Sequence, residues 1–359
     1  MTRILLWNAD FWPRIGGLEV ITAELAVSLK TSGFDVHVLA PSPGPNEYCG
    51  VPVHRLPTSV PESYLSVDSV IDLAQMVRKL ILSVSPDLLH LNGIGSYGSL
   101  FLLAHKPEYC PALMTLHGEW SENSDPLARA IFDRASKIAV CSQSTLDYVL
   151  DNAPAAGPQT VLIRNALPVQ EAPNIEADDS TTLLVLGRLS REKGFDLAIR
   201  AIKDLSQEFE DLKLLVAGSG IEEQALRQLT EELGLQQRVK FLGPVDRQDV
   251  PALIRRASIV VVPSRKEGFG LTALEAAWME RPVIASAVGG LTEVVRHNET
   301  GLLVETEDVE ALSRAIRTLV LDSSLTRRLG LEARLQASRR FEWSRYVGQY
   351  GDLYRALLS

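Results

Sequence analysis

The run IVVV at Ile259–Val262, followed by PSRKEGFGLTALEAAWMERPVIASAVGG at Pro263–Gly290, decides the fold. A β-branched apolar run breaks at a Gly-rich turn, passes into a stretch with helical spacing, and returns as a second apolar run, Val283–Ala285. Strand, turn, helix and strand in that order make the βαβ unit of a parallel sheet covered by helices. Gly268 and Gly270 let the backbone approach a ligand closely. The amides of Phe269, Gly270, Leu271 and Thr272 are expected as unsatisfied donors at the helix start, where the helix dipole favours an anion.

The same rhythm extends in both directions. Upstream in the same half, strands are expected at Leu183–Leu186, Lys213–Ala217 and Val239–Leu242. In the first half they are expected at Arg3–Trp7, Asp35–Ala40, Leu88–Leu91, Ala112–Thr115 and Lys137–Cys141, with a first helix over 18–32 and Gly33 at its C′ position. Periodicity stops over 167–182, LPVQEAPNIEADDSTT, which reads as a linker. A chain of 359 residues at ~150 per domain gives two domains, 1–166 and 183–341, each an α/β doubly wound parallel sheet. The tail FEWSRYVGQYGDLYRALL spaces Trp343, Tyr346, Tyr350 and Tyr354 along one helix face, which core packing explains.

Composition narrows the function. Hydrophobic residues at 46% and charged residues at 23% exclude disordered and collagenous chains. No apolar run approaches the ~20 residues that cross a bilayer. The opening MTRILLWNAD lacks the apolar core of a secretory signal, and Cys49, Cys110 and Cys141 have no CxxC spacing, so a reducing cytoplasm is expected. Net charge is −9, and residues 1–168 hold 11 Lys and Arg against 16 Asp and Glu. Neither half has the basic surplus that nucleic acid or anionic lipid requires, which leaves at most weak peripheral membrane contact.

Two α/β domains first suggest a nicotinamide dehydrogenase, and the glycines speak against it. No GxGxxG follows the first strand, and GSGIEE puts Glu223 where a third glycine is needed. The sequence also contains no Asp-x-Asp, no GxxxxGK[ST] and no GxSxG. A phosphorylated ligand here must be held by cations and amides. Glu267 and Glu275 bracket the anion-binding turn, and a carboxylate accepts from hydroxyls, so the pair fits a ligand with sugars on both sides of its phosphates, a nucleotide sugar. Spacing alone equally admits a capped helix with a surface Glu. Arg188 and Lys193 in VLGRLSREKGF stand at the carboxyl end of a strand, where they suit a departing diphosphate or a solvated loop.

Together these features resemble glycosyltransferase family 4, retaining enzymes of the GT-B fold, in which two Rossmann-like domains face across a cleft. The resemblance rests on EGFGLTALE, with PRIGG, GRLSREKG, VAGSG, VKFLGPV, RPVIASAVGGLTEVV and NETGLLV in family order. It implies transfer of a hexose from a UDP-, GDP- or ADP-sugar to a hydroxyl acceptor, with neither cofactor nor metal. Arg188 and Lys193 resemble the diphosphate-binding pair, Glu275 the carboxylate that takes the ribose, and Glu267 the one against the donor sugar. Gly16 and Gly17 resemble the loop glycines near the donor, and His117 the histidine beside the transferred sugar. Gly218, Gly220 and Val245 would line the base pocket, and helix 342–359 would return to the first domain. The acceptor would dock near residues 11–17, 93–97 and 117–123. An epimerase or phosphorylase on the same architecture, or a sugar-binding protein without catalysis, are the competing readings. Asn165-Ala166, Trp278 and Glu280 depart from the family pattern.

Overall fold

Strands buried on both faces must be apolar throughout, and RILLW, LLHLN and IVVV are such runs. They lie at the centres of two separate sheets. The computed structural model describes residues 1–8, 11–13, 16–40, 43–57, 66–93, 98–120, 125–169, 171–175 and 181–359. The chain divides into two compact units, one of Met1–Arg164 with Ser344–Ser359, the other of Asn165–Trp343.

The first unit runs β1 (Arg3–Trp7), α1 (Gly17–Thr31), β2 (Asp35–Ala40), β3 (Glu47–Tyr48), β4 (Val51–Arg55), α2 (Val67–Val84), β5 (Leu88–Asn92), α3 (Gly98–Ala104), β6 (Ala112–Leu116), α4 (Asp125–Arg134), β7 (Lys137–Val140), α5 (Gln143–Asn152) and β8 (Thr160–Leu162). Its sheet has the order β3-β4-β2-β1-β5-β6-β7-β8, antiparallel only at β3–β4. Strand order reverses between β1 and β5, so the ligand crevice of a doubly wound sheet is expected where those two strands end.

The second unit continues with β9 (Thr182–Leu186), α6 (Phe195–Leu205), β10 (Lys213–Ala217), α7 (Glu223–Glu232), β11 (Val239–Gly243), α8 (Val250–Arg256), β12 (Ile259–Val262), α9 (Leu271–Trp278), β13 (Val283–Ser286), α10 (Leu291–Val294), β14 (Gly301–Val304), α11 (Val309–Leu321) and α12 (Ser323–Arg340). The order β11-β10-β9-β12-β13-β14 is parallel throughout and reverses between β9 and β12, where Leu183 pairs with Ile259. Helix α6 shows how the layers form. Phe195, Leu197, Ala198, Ile199, Ala201, Ile202 and Leu205 are buried against the sheet core that includes Leu183, Val216 and Ile259.

Four strands went unanticipated. β3 and β8 have two and three residues and none fully buried, β4 carries Pro52 and His54, and β14 is an edge strand of four residues. The edge strands β3, β8 and β14 carry too little apolar periodicity to be seen, and in β4, which lies between β3 and β2, Pro52 and His54 interrupt it. The expected linker also differs. Ala166 and Leu167 are each 1% exposed and belong to the second unit, because apolar residues after Arg164 pack instead of spanning solvent. Residues 170 and 176–180 of that stretch lie outside the described residues. At Glu280, just past α9, φ is +56, the left-handed conformation that favours glycine. Arg255 and Arg334 reach its carboxylate at 3.4 and 3.5 Å.

The last helix, α13 (Trp343–Leu358), joins the first unit through its aromatic face. Tyr346, Tyr350 and Tyr354 are fully buried, and buried phenols need partners. His90 Nδ1 stands 2.7 Å from the Tyr354 hydroxyl and its Nε2 2.7 Å from Thr115 Oγ1. Tyr350 is in turn 2.9 Å from Thr115. Burial first, then the nearby His117, pushes the His90 ring down to about 3 from its ordinary 6.5. In the unfolded chain this ring takes up a proton below 6.5, whereas the folded protein refuses it until about 3, so stability is lost as pH falls through that interval. We expect His90 ring resonances in NMR to stay unchanged from about pH 8 down to about pH 5, and a midpoint near the ordinary histidine value would contradict the buried neutral ring.

Candidate active site

Three loops meet where β9, β12 and β13 end, at the reversal point of the second sheet. After β9 come Gly187, Arg188 and a 3₁₀ turn over Arg191–Lys193, and after β12 comes the Gly-rich turn into α9. After β13, Gly289 has φ +53, and a Cβ there would stand 1.8 Å from the Glu267 carbonyl oxygen. The Gly290 amide donates to that same carbonyl at 3.2 Å. Backbone thus lies directly on backbone, and this contact fixes where Glu267 begins.

Arg265 ties the other two loops together. Its amide donates to the Glu192 carbonyl at 2.7 Å, and its guanidinium donates to the Arg191 carbonyl at 2.9 Å. The same guanidinium grips both Asp196 carboxylate oxygens, at 2.7 and 2.8 Å, and also pairs with Glu307. Its hydrogen bonds to the Asp196 and Glu307 carboxylates raise the Arg265 pKa above its already high value. Burial alone would raise the Asp196 carboxyl, but the Arg265 hydrogen bonds and charge outweigh it and hold Asp196 below the usual range.

Held this way, Lys193 Nζ lies 2.7 Å from Glu267 Oε2, and the Ser264 hydroxyl donates to that oxygen at 3.1 Å. Both side chains are mostly covered, Glu267 more than Lys193. Helix α9 starts directly beside the pair. Its N-cap is Gly270, with φ +101 and no side-chain cap, whereas α2, α5, α11 and α12 cap their own amides with Ser66, Ser142, Asp308 and Asp322. A glycine cap leaves the first-turn donors open to a ligand. Phe269 is buried, and Thr272 donates through its hydroxyl to the Leu186 carbonyl at 3.3 Å, so that side chain braces β9. Glu275, one turn further on, pairs with Arg247 from the short 3₁₀ turn after β11.

The remaining expected residues are placed differently. Arg188 is exposed beside Gly187. A Cβ at Gly218 would stand 1.8 Å from the Gly187 carbonyl oxygen, and one at Gly220 would stand 2.2 Å from that of Leu189. Both glycines therefore pack beneath the loop that carries Arg188. Val245 is half-buried two residues before Arg247.

In the first unit, Gly16 caps α1 without a side-chain cap and Gly17 opens the helix, again where a central strand ends. His117 follows β6 and is half-buried, and burial pushes its ring down to about 4, so it is neutral at neutral pH. Its Nε2 stands 2.8 Å from Asn92 Oδ1, Asn92 Nδ2 donates to Thr22 Oγ1, and Thr22 donates to the Leu18 carbonyl at 2.7 Å. The Leu18 carbonyl can only accept, so the chain has one direction and the proton of His117 sits on Nε2. Of the loops expected to meet an acceptor, residues 14–15, 94–97 and 121–123 lie outside the described residues.

Arg247, Arg265, Asn92 and Thr22 escaped the sequence reading. Arg247 follows the end of β11 as Arg188 follows β9, so the same positional rule points to it. Among the described residues, no group of three or more His, Cys, Asp or Glu is placed to hold a metal ion, and no helix is long and apolar enough to cross a membrane.

Comparison with known proteins agrees with this arrangement. The family model described as Glycosyltransferase Family 4 matches residues 15–171, and that described as Glycosyl transferases group 1 matches 169–336. An uncharacterised glycosyltransferase of Methanocaldococcus jannaschii is 29% identical over 98% of this chain and 98% of its own length. D-inositol 3-phosphate glycosyltransferase of a Nocardioides species is 37% identical over 50% of this chain and 42% of its own. Among solved structures, sucrose-phosphate synthase from Thermosynechococcus elongatus superposes with a TM-score of 0.87 at 27% identity, covering 99% of both chains. Anabaena HepE, solved in complex with UDP and glucose, gives 0.85 at 23% identity over 98% of this chain and 99% of its own.

Because the Gly289 contact is with main chain, it cannot be relieved by a rotamer change. We expect Gly289→Ala to lower the unfolding free energy by about 2 kcal/mol or more in urea denaturation. An unchanged midpoint would show that the turn at Glu267 does not depend on this contact.

Proposed function

We propose, on the premise that this chain belongs to glycosyltransferase family 4 and is a glycosyltransferase, that it moves a hexose from a nucleotide diphosphate sugar to a hydroxyl acceptor, with retention and without a metal ion. The observation that carries this reading is Lys193 paired with Glu267 beside the uncapped first turn of α9. A cation and free amides suit a diphosphate, and the adjoining carboxylate suits sugar hydroxyls. Neighbours of this fold solved with UDP, with UDP-glucose and, in a starch synthase, with ADP are consistent with such a donor, and they leave the nucleotide of this chain open.

In the proposed reaction, the bond between the anomeric carbon and the diphosphate oxygen breaks while the acceptor oxygen bonds to the same face of the sugar. The acceptor proton passes to the departing diphosphate. Positive charge grows on the anomeric carbon and negative charge on the leaving group, so the enzyme must stabilise the latter. Arg188, Lys193 and the amides of residues 269–272 are assigned that role. An ammonium has three donors, so Lys193 keeps Glu267 as a partner and still reaches a phosphate oxygen. Glu267 is assigned to the donor sugar hydroxyls, Glu275 to the ribose, and Gly218, Gly220 and Val245 to the surroundings of the base. Gly16 and Gly17 admit close approach of the ligand in the first unit. His117, neutral with its proton fixed toward Asn92, is assigned a hydrogen bond to the transferred sugar.

Each well-placed group on a developing anion contributes about 3 kcal/mol. Lys193→Ala should therefore lower kcat about 10²-fold or more in a nucleotide-release assay, and an unchanged kcat would remove Lys193 from the mechanism. Turnover should persist undiminished in excess EDTA, and loss that added magnesium restores would contradict metal independence. The product's anomeric configuration, read by NMR, should match the donor's. An inverted product would instead make a general base necessary.

A further inference from the structure

Arg247, the ion-pair partner of Glu275, has no role in the assignments above. Glu275 lies on α9 with its side chain 12% exposed, and Arg247 comes from the turn after β11 with 25% exposed. The guanidinium donates through Nη1 to Oε1 of the carboxylate. We propose that Arg247 is the positioning residue for ribose recognition, fixing the Glu275 carboxylate so that it accepts from both ribose hydroxyls and thereby distinguishes ribonucleotides from deoxyribonucleotides. This rests on the reading above that Glu275 takes the ribose.

The stereochemistry of a carboxylate supports this division of labour. Its two oxygens offer about four lone-pair sites, and Arg247 uses one, so the acceptors needed for a vicinal diol remain while the ion pair stays intact. The ion pair is thus compatible with ligand and need not open to admit it. A glutamate without such an anchor loses about 1.5–2 kcal/mol of rotamer freedom when a ligand orders it. Arg247 removes that loss beforehand, which is preorganisation. Arg247 also compensates a carboxylate that is largely withdrawn from water. Its own place is set by the backbone of a short 3₁₀ turn whose next element, α8, opens with the buried Val250, so the guanidinium approaches from a firm base.

The test compares UDP, GDP and ADP with their 2′,3′-dideoxy counterparts by calorimetric titration of the full chain. For whichever nucleotide binds, the wild type should prefer the ribose form by about 100-fold, two hydrogen bonds to a charged acceptor, and Glu275→Gln should reduce that preference. Arg247→Ala should cut the preference about tenfold while leaving dideoxynucleotide affinity unchanged, and Arg247→Lys should restore part of it. Thermal unfolding of both Arg247 variants verifies that they are folded, and the Lys variant serves if the Ala variant is not. An Arg247→Ala protein that keeps the full ribose preference would overturn the proposal, as would equal weakening of both ligand forms or tighter binding of the ribonucleotide. A wild type that shows no ribose preference would instead refute the role of Glu275 itself, and this proposal with it.

Discussion

Direct contact of backbone with backbone at the carboxyl ends of the central strands is the constraint on which the second unit depends. The carbonyl of Glu267 lies where a Cβ of Gly289 would be, and the carbonyl of Gly187 where a Cβ of Gly218 would be. Removing a side chain at those positions lets loops after β9, β10, β12 and β13 close onto one another. Main-chain geometry is stiffer than any side-chain contact, so the Lys193 and Glu267 side chains inherit a fixed starting point. Arg265 then adds the lateral tie between the two loops that carry them.

Charge follows the same logic of prior arrangement. Lys193 is matched by Glu267, Arg247 by Glu275, and Arg265 by Asp196 and Glu307. Each pair holds its members in place at the strand ends, while α9 begins without a side-chain cap on its first-turn amides. A site built this way needs little reorganisation as negative charge develops on a leaving group, which is the condition for effective electrostatic stabilisation. The first unit uses a neutral device instead, in which a one-way hydrogen-bond chain through Asn92 and Thr22 sets the tautomer of His117.

Much of this was legible in the sequence, and the exceptions have physical causes. Long apolar runs such as IVVV and LLVL identify buried parallel strands because burial on both faces leaves no alternation to confuse with a helix. The turn at Gly268 and Gly270 announced itself because few functions other than close approach need two glycines before a helix. Strands β3, β8 and β14 were invisible because short edge segments are selected by pairing more than by burial, and β4, inside the sheet between β3 and β2, was hidden by Pro52 and His54 in its short run. Arg247 and Arg265 were missed for another reason. An arginine's partner is chosen by tertiary proximity, and Glu275 and Asp196 lie 28 and 69 residues away in sequence. Gly218 and Gly220 stood out in the sequence, and packing on the Gly187 and Leu189 carbonyls by itself requires a glycine at each.

The most direct test of the account is a crystal structure with a non-transferable nucleotide-sugar analogue. The account predicts the diphosphate against Arg188, Lys193 and the amides of residues 269–272, with Glu267 on the sugar and Glu275 on the ribose. A diphosphate bound elsewhere, or one reaching the protein through a divalent ion, would contradict it.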